Sequence, residues 1–230
     1  VLLTENTFQL NLDKMLATIN TENRLKIIFI CSPNNPTGNL INEKDIETIL
    51  NNFNGLVVID EAYQDFAKSK SWISRLDDFK NLVVINTFSK SWGMADARLG
   101  ALYASAEIIH YMNVIKMPYN INQHTINLGI EALNKIAIKN KYIDTLNENK
   151  KWLLAEMQQI NTIQHIYPTD ANYILFKVDD ANALYQYFLL HKVIVRNRDK
   201  APLLKGCLRV SVGTETENQK FIEVLKNYKS

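Results

Sequence analysis

Leu82-Val83-Val84-Ile85-Asn86-Thr87-Phe88-Ser89-Lys90-Ser91-Trp92-Gly93-Met94-Ala95-Asp96-Ala97-Arg98-Leu99-Gly100 is the stretch on which the reading of this chain turns. Its first four residues form an apolar, largely β-branched run of the kind buried in a parallel sheet. The next residues differ in kind. Thr87 and Ser89 set two hydroxyls on one side, Lys90 points away from them, and Arg98 returns a positive charge eight residues after the lysine. Two hydroxyls and an amine are thereby delivered to a strand's end, which is where open α/β sheets bind ligands.

Two hydroxyls, an amine and a guanidinium suit a cofactor that carries both a phosphate and a carbonyl. An arginine fork binds phosphate bidentately and stays charged at every working pH. A lysine that is desolvated or flanked by a cation is neutral enough to attack a carbonyl. Ser-Lys after a strand is a weak signal by itself, because a lysine there is more often a solvated loop charge. Support comes from upstream, in Cys31-Ser32-Pro33-Asn34-Asn35-Pro36-Thr37-Gly38 and in Val57-Val58-Ile59-Asp60-Glu61-Ala62-Tyr63. Asp60 closes a hydrophobic strand, where a carboxylate needs a cationic partner to offset its desolvation. Glu61 faces the other way and receives no role. Gly38 suits a positive φ in the Pro/Asn-rich turn.

In this order the pieces resemble pyridoxal phosphate (PLP) dependent aminotransferases of fold type I. Asn35-Pro36-Thr37-Gly38, Asp60-x-x-Tyr63 and Ser89-Lys90 with Arg98 mark that superfamily. Thr87 to Ala95, Arg98-Leu99-Gly100, Pro118-Tyr119-Asn120, Val195-Arg196, Gly206-Cys207-Leu208-Arg209-Val210 and Val212-Gly213-Thr214 narrow the likeness to its histidinol-phosphate aminotransferase branch.

The resemblance implies a role for each matched residue. Lys90 would hold PLP through its amine and then act as general acid and base. Asp60 would pair with the protonated pyridine nitrogen, while Tyr63 and Asn35 would donate to the ring oxygen, Asn35 being preferred to the competing Asn34 because the family's asparagine directly precedes the proline. Thr87, Ser89 and Arg98 would bind the cofactor phosphate. Arg209 would bind a substrate anion with Arg196 assisting, and Arg198 competes for that second role. Tyr119 and Asn172 are weaker candidates with ordinary structural readings.

The activity implied is transamination between L-histidinol phosphate or imidazole-acetol phosphate and glutamate or 2-oxoglutarate, in a cytoplasmic homodimer. Another enzyme of the same fold is the first alternative: an aromatic or broad-range aminotransferase, or a decarboxylase of a phosphorylated amino acid. A PLP-binding sensor domain of a transcription regulator is the second. The family's sequences begin well before Val1, so this chain reads as lacking the family's N-terminal segment.

Composition sets the outer bounds. The chain has 230 residues, 47% hydrophobic and 22% charged, with a net charge of +2. That length supports a large core, and that charge argues for neither a nucleic-acid nor a membrane partner. Cys31 and Cys207 make no disulfide framework, and His110, His124, His165 and His191 lack metal-ligand spacing, so no metal is implied.

Read in order, Val1 to Thr4 is extended and a turn follows at Glu5 to Thr7. Buried strands are expected at Lys26 to Cys31 and Leu82 to Ile85, with further strands at Leu56 to Asp60 and, apolar in composition, Leu99 to Ala104. Helical patterns lie at Asn42 to Phe53, Ala106 to Ile115, Asn122 to Ala137 and, as a long connector, about Lys141 to Ile160. Strands at Asn172 to Val178, Val193 to Arg196 and Cys207 to Val212, with a helix at Ala181 to Leu190, form the remainder. Thr214 and Glu217 make a capping box for a final helix. The expected fold class is α/β: a mostly parallel, doubly wound sheet in a large domain (1–140), a connecting helix (141–162), and a C-terminal α+β small domain (163–230).

Overall fold

The computed structural model describes residues 1–229 and forms two compact units. One comprises Val1–Asn34 and Leu40–Asn140; the other comprises Asn35–Asn39 and the chain from Lys141 onward.

The first unit carries α1 (Leu12–Thr21), β1 (Ile27–Cys31), α2 (Glu43–Asn52), β2 (Leu56–Asp60), two short 3-10 turns (Gln64–Phe66 and Trp72–Arg75), β3 (Leu82–Thr87), β4 (Gly100–Ala104), α3 (Ala106–Ile115), α4 (Gln123–Leu133) and the first residues of α5 (Ile136–Met157). Its sheet runs β1-β2-β3-β4, parallel at the first two pairings and antiparallel at the last. The parallel register sets Cys31 beside Asp60 and Asp60 beside Ile85, so three strands end at one edge. Asn42 caps α2 by accepting from the Lys44 N–H. Spacing at i, i+3 and i+4 then buries Ile46, Ile49 and Leu50 of α2, with Phe53 at its C-cap, against Ile30, Val57, Ile59, Leu82 and Val84. That core fixes the strands whose ends carry the polar residues.

The second unit adds the rest of α5, then β5 (Ile163–Ile166), β6 (Tyr173–Val178), α6 (Ala181–Leu190), β7 (Arg196–Asn197), β8 (Cys207–Ser211) and α7 (Glu215–Asn227). Its antiparallel sheet runs β5-β6-β8-β7. Leu153 and Met157 of α5 pack with Ile174, Phe176, Phe188, Leu208, Phe221 and Leu225. The capping box is present: Thr214 Oγ1 accepts from the Glu217 N–H, and Glu217 Oε2 accepts from the Thr214 N–H. The Asn35–Asn39 segment joins this unit through Gly38, whose carbonyl accepts from the Asp170 N–H at 2.7 Å and whose φ is +88°.

Several local expectations are corrected. Helix α1 was not anticipated, because Leu10 is buried in non-helical backbone just before it and breaks the spacing of Leu12, Leu16 and Ile19. Strand β1 is an edge strand buried on one face only: Ile28 and Ile30 enter the core, while Ile27 and Phe29, on the opposite face, are exposed where a buried strand was expected. The single helix expected over Asn122 to Ala137 divides at Asn134 and Lys135. The strand expected over Val193 to Arg196 shrinks to Arg196–Asn197, because the Val193 N–H bonds back to the Phe188 carbonyl and finishes α6 instead. Strand β5 was also missed. It is four residues long, and a register shift between Ile163 and His165 masks its alternation.

Candidate active site

In the first unit the polar strand ends are assembled by the parallel register. Asp60, the last residue of β2, accepts from the Ala62 N–H through Oδ1 at 2.9 Å. Its other oxygen, Oδ2, has no hydrogen-bond partner among the described residues. Tyr63 follows at the head of a 3-10 turn and is 6% exposed. The Lys90 amine lies 5.3 Å from the centroid of the Tyr63 ring. An ammonium over a tyrosine face is attracted by the ring quadrupole.

The chain between β3 and β4 is folded by its own hydroxyls and amides. Thr87 Oγ1 lies 2.9 Å from Ser89 Oγ and accepts from the Ser89 N–H at 3.0 Å. The Phe88 N–H donates to the Leu99 carbonyl, the Met94 N–H to the Phe88 carbonyl and the Gly93 N–H to the Lys90 carbonyl. Lys90 therefore sits on a hydrogen-bonded turn with its side chain exposed. Arg98, at φ +52°, occupies the left-handed region, and its Nη1 donates to the Ala95 carbonyl at 3.0 Å. It lies two residues before Gly100, the register partner of Thr87. No described contact joins its guanidinium to Thr87 or Ser89.

Glu61 is fully buried. It accepts from Ser71 Oγ at 2.5 Å and from the Trp72 N–H at 2.7 Å. Burial raises its carboxyl above the ordinary carboxylate value against the lowering effect of those two hydrogen bonds, with the nearby Asp65 charge a smaller raising influence. It is an anchor for the second 3-10 turn.

In the second unit Arg209 Nη1 donates to Asn35 Oδ1 at 2.7 Å, and the Arg209 guanidinium lies 4.6 Å from the Tyr173 ring centroid. Arg196 is the Cα register partner of Arg209. Two like charges directly opposed on a sheet repel unless an anion lies near them. Arg198 is half-buried on the loop after β7, and its Nε has no hydrogen-bond partner among the described residues. Asp60, Tyr63, Thr87, Ser89, Lys90 and Arg98 thus belong to one unit, and Asn35, Arg196 and Arg209 to the other. Tyr173 was not singled out from sequence. Period-two alternation on β6 and β8 would have put it on the Arg209 face once the pairing was known. Asp65 and Lys139 were missed as well.

An aspartate, a buried tyrosine and a lysine turn thus follow the carboxyl ends of the parallel strands, the edge at which open α/β sheets bind ligands. The chain belongs to the class I and II aminotransferase family, whose profile matches residues 2–225. It is 47% identical to the histidinol-phosphate aminotransferase of Cytophaga hutchinsonii over 221 residues, which cover 96% of this chain and 63% of that protein. The chain spans just under two thirds of the length of that curated relative. Among solved structures it is similar to the histidinol-phosphate aminotransferase of Clostridium acetobutylicum, with a TM-score of 0.88 at 22% identity over 96% of this chain and 68% of that one. It is similar also to the histidinol-phosphate aminotransferase of Sinorhizobium meliloti in complex with PLP, with a TM-score of 0.81 at 21% identity over 94% of this chain and 60% of that one. Among the described residues no group of His, Cys, Asp and Glu is arranged to hold a metal, and no helix is long and apolar enough to cross a membrane.

Proposed function

We propose that this chain carries most of the PLP-binding and substrate-binding machinery of an aminotransferase acting on L-histidinol phosphate, with 2-oxoglutarate as the amino acceptor, in a cytoplasmic homodimer. The observation that carries the reading is the Lys90 amine over the Tyr63 ring, on the same unit as an Asp60 oxygen that no described group engages. The donor set fits PLP: a carboxylate for the pyridinium N–H, hydroxyls and a guanidinium for the phosphate, and an amine for the carbonyl. When bound, PLP supplies an electron sink for the electron pair released at the substrate's α-carbon.

The chain's own residues do the rest. The Asp60 carboxylate accepts the pyridinium proton's hydrogen bond and keeps that proton in place. The Tyr63 hydroxyl and the Asn35 amide donate to the ring oxygen. Because Asn35 Oδ1 already accepts from Arg209, the amide is oriented with its N–H groups free to donate. Thr87, Ser89 and Arg98 would hold the phosphate. Lys90 would hold the cofactor's carbonyl carbon through Nζ and, as general acid and base, would move a proton at the substrate's α-carbon. Arg196 and Arg209 bind a phosphate or carboxylate of the substrate, which relieves their mutual repulsion.

The test is the visible absorption spectrum of protein expressed from the complete gene and loaded with PLP, before and after L-histidinol phosphate in the absence of keto acid. Conversion by histidinol phosphate, with slower conversion by phenylalanine and aspartate, is the expected result. Conversion by other amino acids alone overturns the substrate, and an absent band overturns the cofactor.

A further inference from the structure

Asp65 lies two residues after Tyr63, in the Gln64–Phe66 turn, and its carboxylate reaches the turn that bears Lys90. Ser91 Oγ donates to Asp65 Oδ2, and Lys139 Nζ, near the start of α5, donates to Asp65 Oδ1 at 3.2 Å. The same ammonium lies 4.8 Å from the Trp92 ring centroid, and Trp92 stacks on Phe88 at 5.3 Å with an interplanar angle of 24°. The Lys139 side chain is only 11% exposed, so solvent screens this pair less than a surface pair. In each remaining side-chain ion pair among the described residues both side chains are at least 33% exposed, and none touches a candidate residue.

We propose that Asp65 and Lys139 are positioning residues for Lys90, a role that rests on the reading of Lys90 above. One carboxylate ties the segment bearing Tyr63 to the residue after Lys90. The ammonium neutralises that carboxylate and presses on the ring of the next residue, Trp92. The lysine turn is thereby held from outside as well as by its own Phe88–Met94 and Lys90–Gly93 backbone bonds. A proton-transferring amine loses rate steeply with small misplacements, so the tie acts on turnover more than on substrate binding.

The test compares wild type, Asp65→Asn, Lys139→Met, Lys139→Arg and the Asp65→Asn/Lys139→Met double variant, each expressed from the complete gene. One readout is amide hydrogen exchange in the cofactor-free protein. The other is kcat, KM and the pH midpoint of the visible band in the loaded protein. In Asp65→Asn and Lys139→Met, exchange across residues 88–94 is expected to quicken about tenfold while that of β3 stays unchanged. Turnover is expected to fall about tenfold to a hundredfold with KM within about twofold of wild type. The double variant is expected to be no worse than either single one, because both changes break one unit. Lys139→Arg is expected to stay near wild type, since a guanidinium keeps both the ion pair and the ring contact. Unchanged exchange overturns the proposal. Faster exchange with wild-type kcat and an unmoved band also overturns it, leaving a structural tie only. A wild-type protein with no visible band, indistinguishable from Lys90→Ala, overturns the Lys90 reading itself and the positioning role with it, whatever the exchange shows.

Discussion

Arg209 Nη1 donates to Asn35 Oδ1 at 2.7 Å, joining two residues 174 positions apart in the chain. The bond brings the Asn-Pro turn and strand β8 together within the second unit, and it occupies the one acceptor atom of the Asn35 side chain. The Tyr173 ring supports the same guanidinium from below at 4.6 Å. Arg209 thus orients the Asn35 amide while standing on the strand position opposite Arg196.

Arg209→Lys is expected to raise KM for the phosphorylated amino donor about tenfold or more, because an ammonium cannot reproduce the planar fork or its stacking on Tyr173. Asn35→Ala combined with Arg209→Lys is expected to be less than additive. Steady-state kinetics of the double-mutant cycle check both statements; strict additivity would show that the bond transmits nothing.

Burial raises the Glu61 carboxyl in the folded protein, so folding favours its neutral form. The resulting stability is full below the ordinary carboxylate value and is lost as pH rises through the raised one. Glu61→Gln preserves an acceptor for the Trp72 N–H and a partner for Ser71 without carrying a charge. Denaturant midpoints measured as pH rises from below the ordinary carboxylate value should fall for wild type and stay flatter for the variant. At neutral pH the variant is expected to be the more stable of the two.

Gly38 has φ +88°, and a Cβ there would lie 2.4 Å from Thr169 Oγ1. That hydroxyl donates to the Tyr173 carbonyl at 2.7 Å and accepts from the Ala171 N–H at 3.2 Å, so it has little freedom to withdraw. Gly38→Ala is therefore expected to cost about 2–3 kcal/mol in equilibrium unfolding. A variant within about 0.5 kcal/mol of wild type would show that the turn relaxes.

Thr214→Ala removes the side-chain half of the cap on α7 and is expected to cost about 1 kcal/mol. Glu217 answers to pH in the opposite sense from Glu61. The Thr214 backbone N–H, then its hydroxyl, hold the Glu217 carboxyl below the ordinary value. Its contribution is present above the ordinary carboxylate pKa and is lost as pH falls through the lowered one. The cost of Glu217→Ala in thermal melts should accordingly shrink in acid.

Much of the fold was legible because its causes are local. Asn42 and Thr214 announce their helices through caps that act over three residues, and Ile46, Ile49, Leu50 and Phe53 reveal the buried face of α2 by helical spacing. The runs at Leu56 to Asp60 and Leu82 to Ile85 declare strands by composition, and the motif order declares the family. Where a local pattern was diluted, the reading failed: at α1 by Leu10, at β5 by the register shift, and at Val193 by a bond that closed a helix.

The sequence by itself determined β2 and β3, the caps of α2 and α7, and the family to which the motif order belongs, because each signal lives within a few bonds of its residue. Only the tertiary structure decided that β1 is an edge, that Arg196 faces Arg209, that Asn35 is held by Arg209, and that Asp65 meets both Ser91 and Lys139. Those contacts join residues brought together by packing. Their energies depend on burial and on partners 13 to 174 residues away, which no local periodicity encodes.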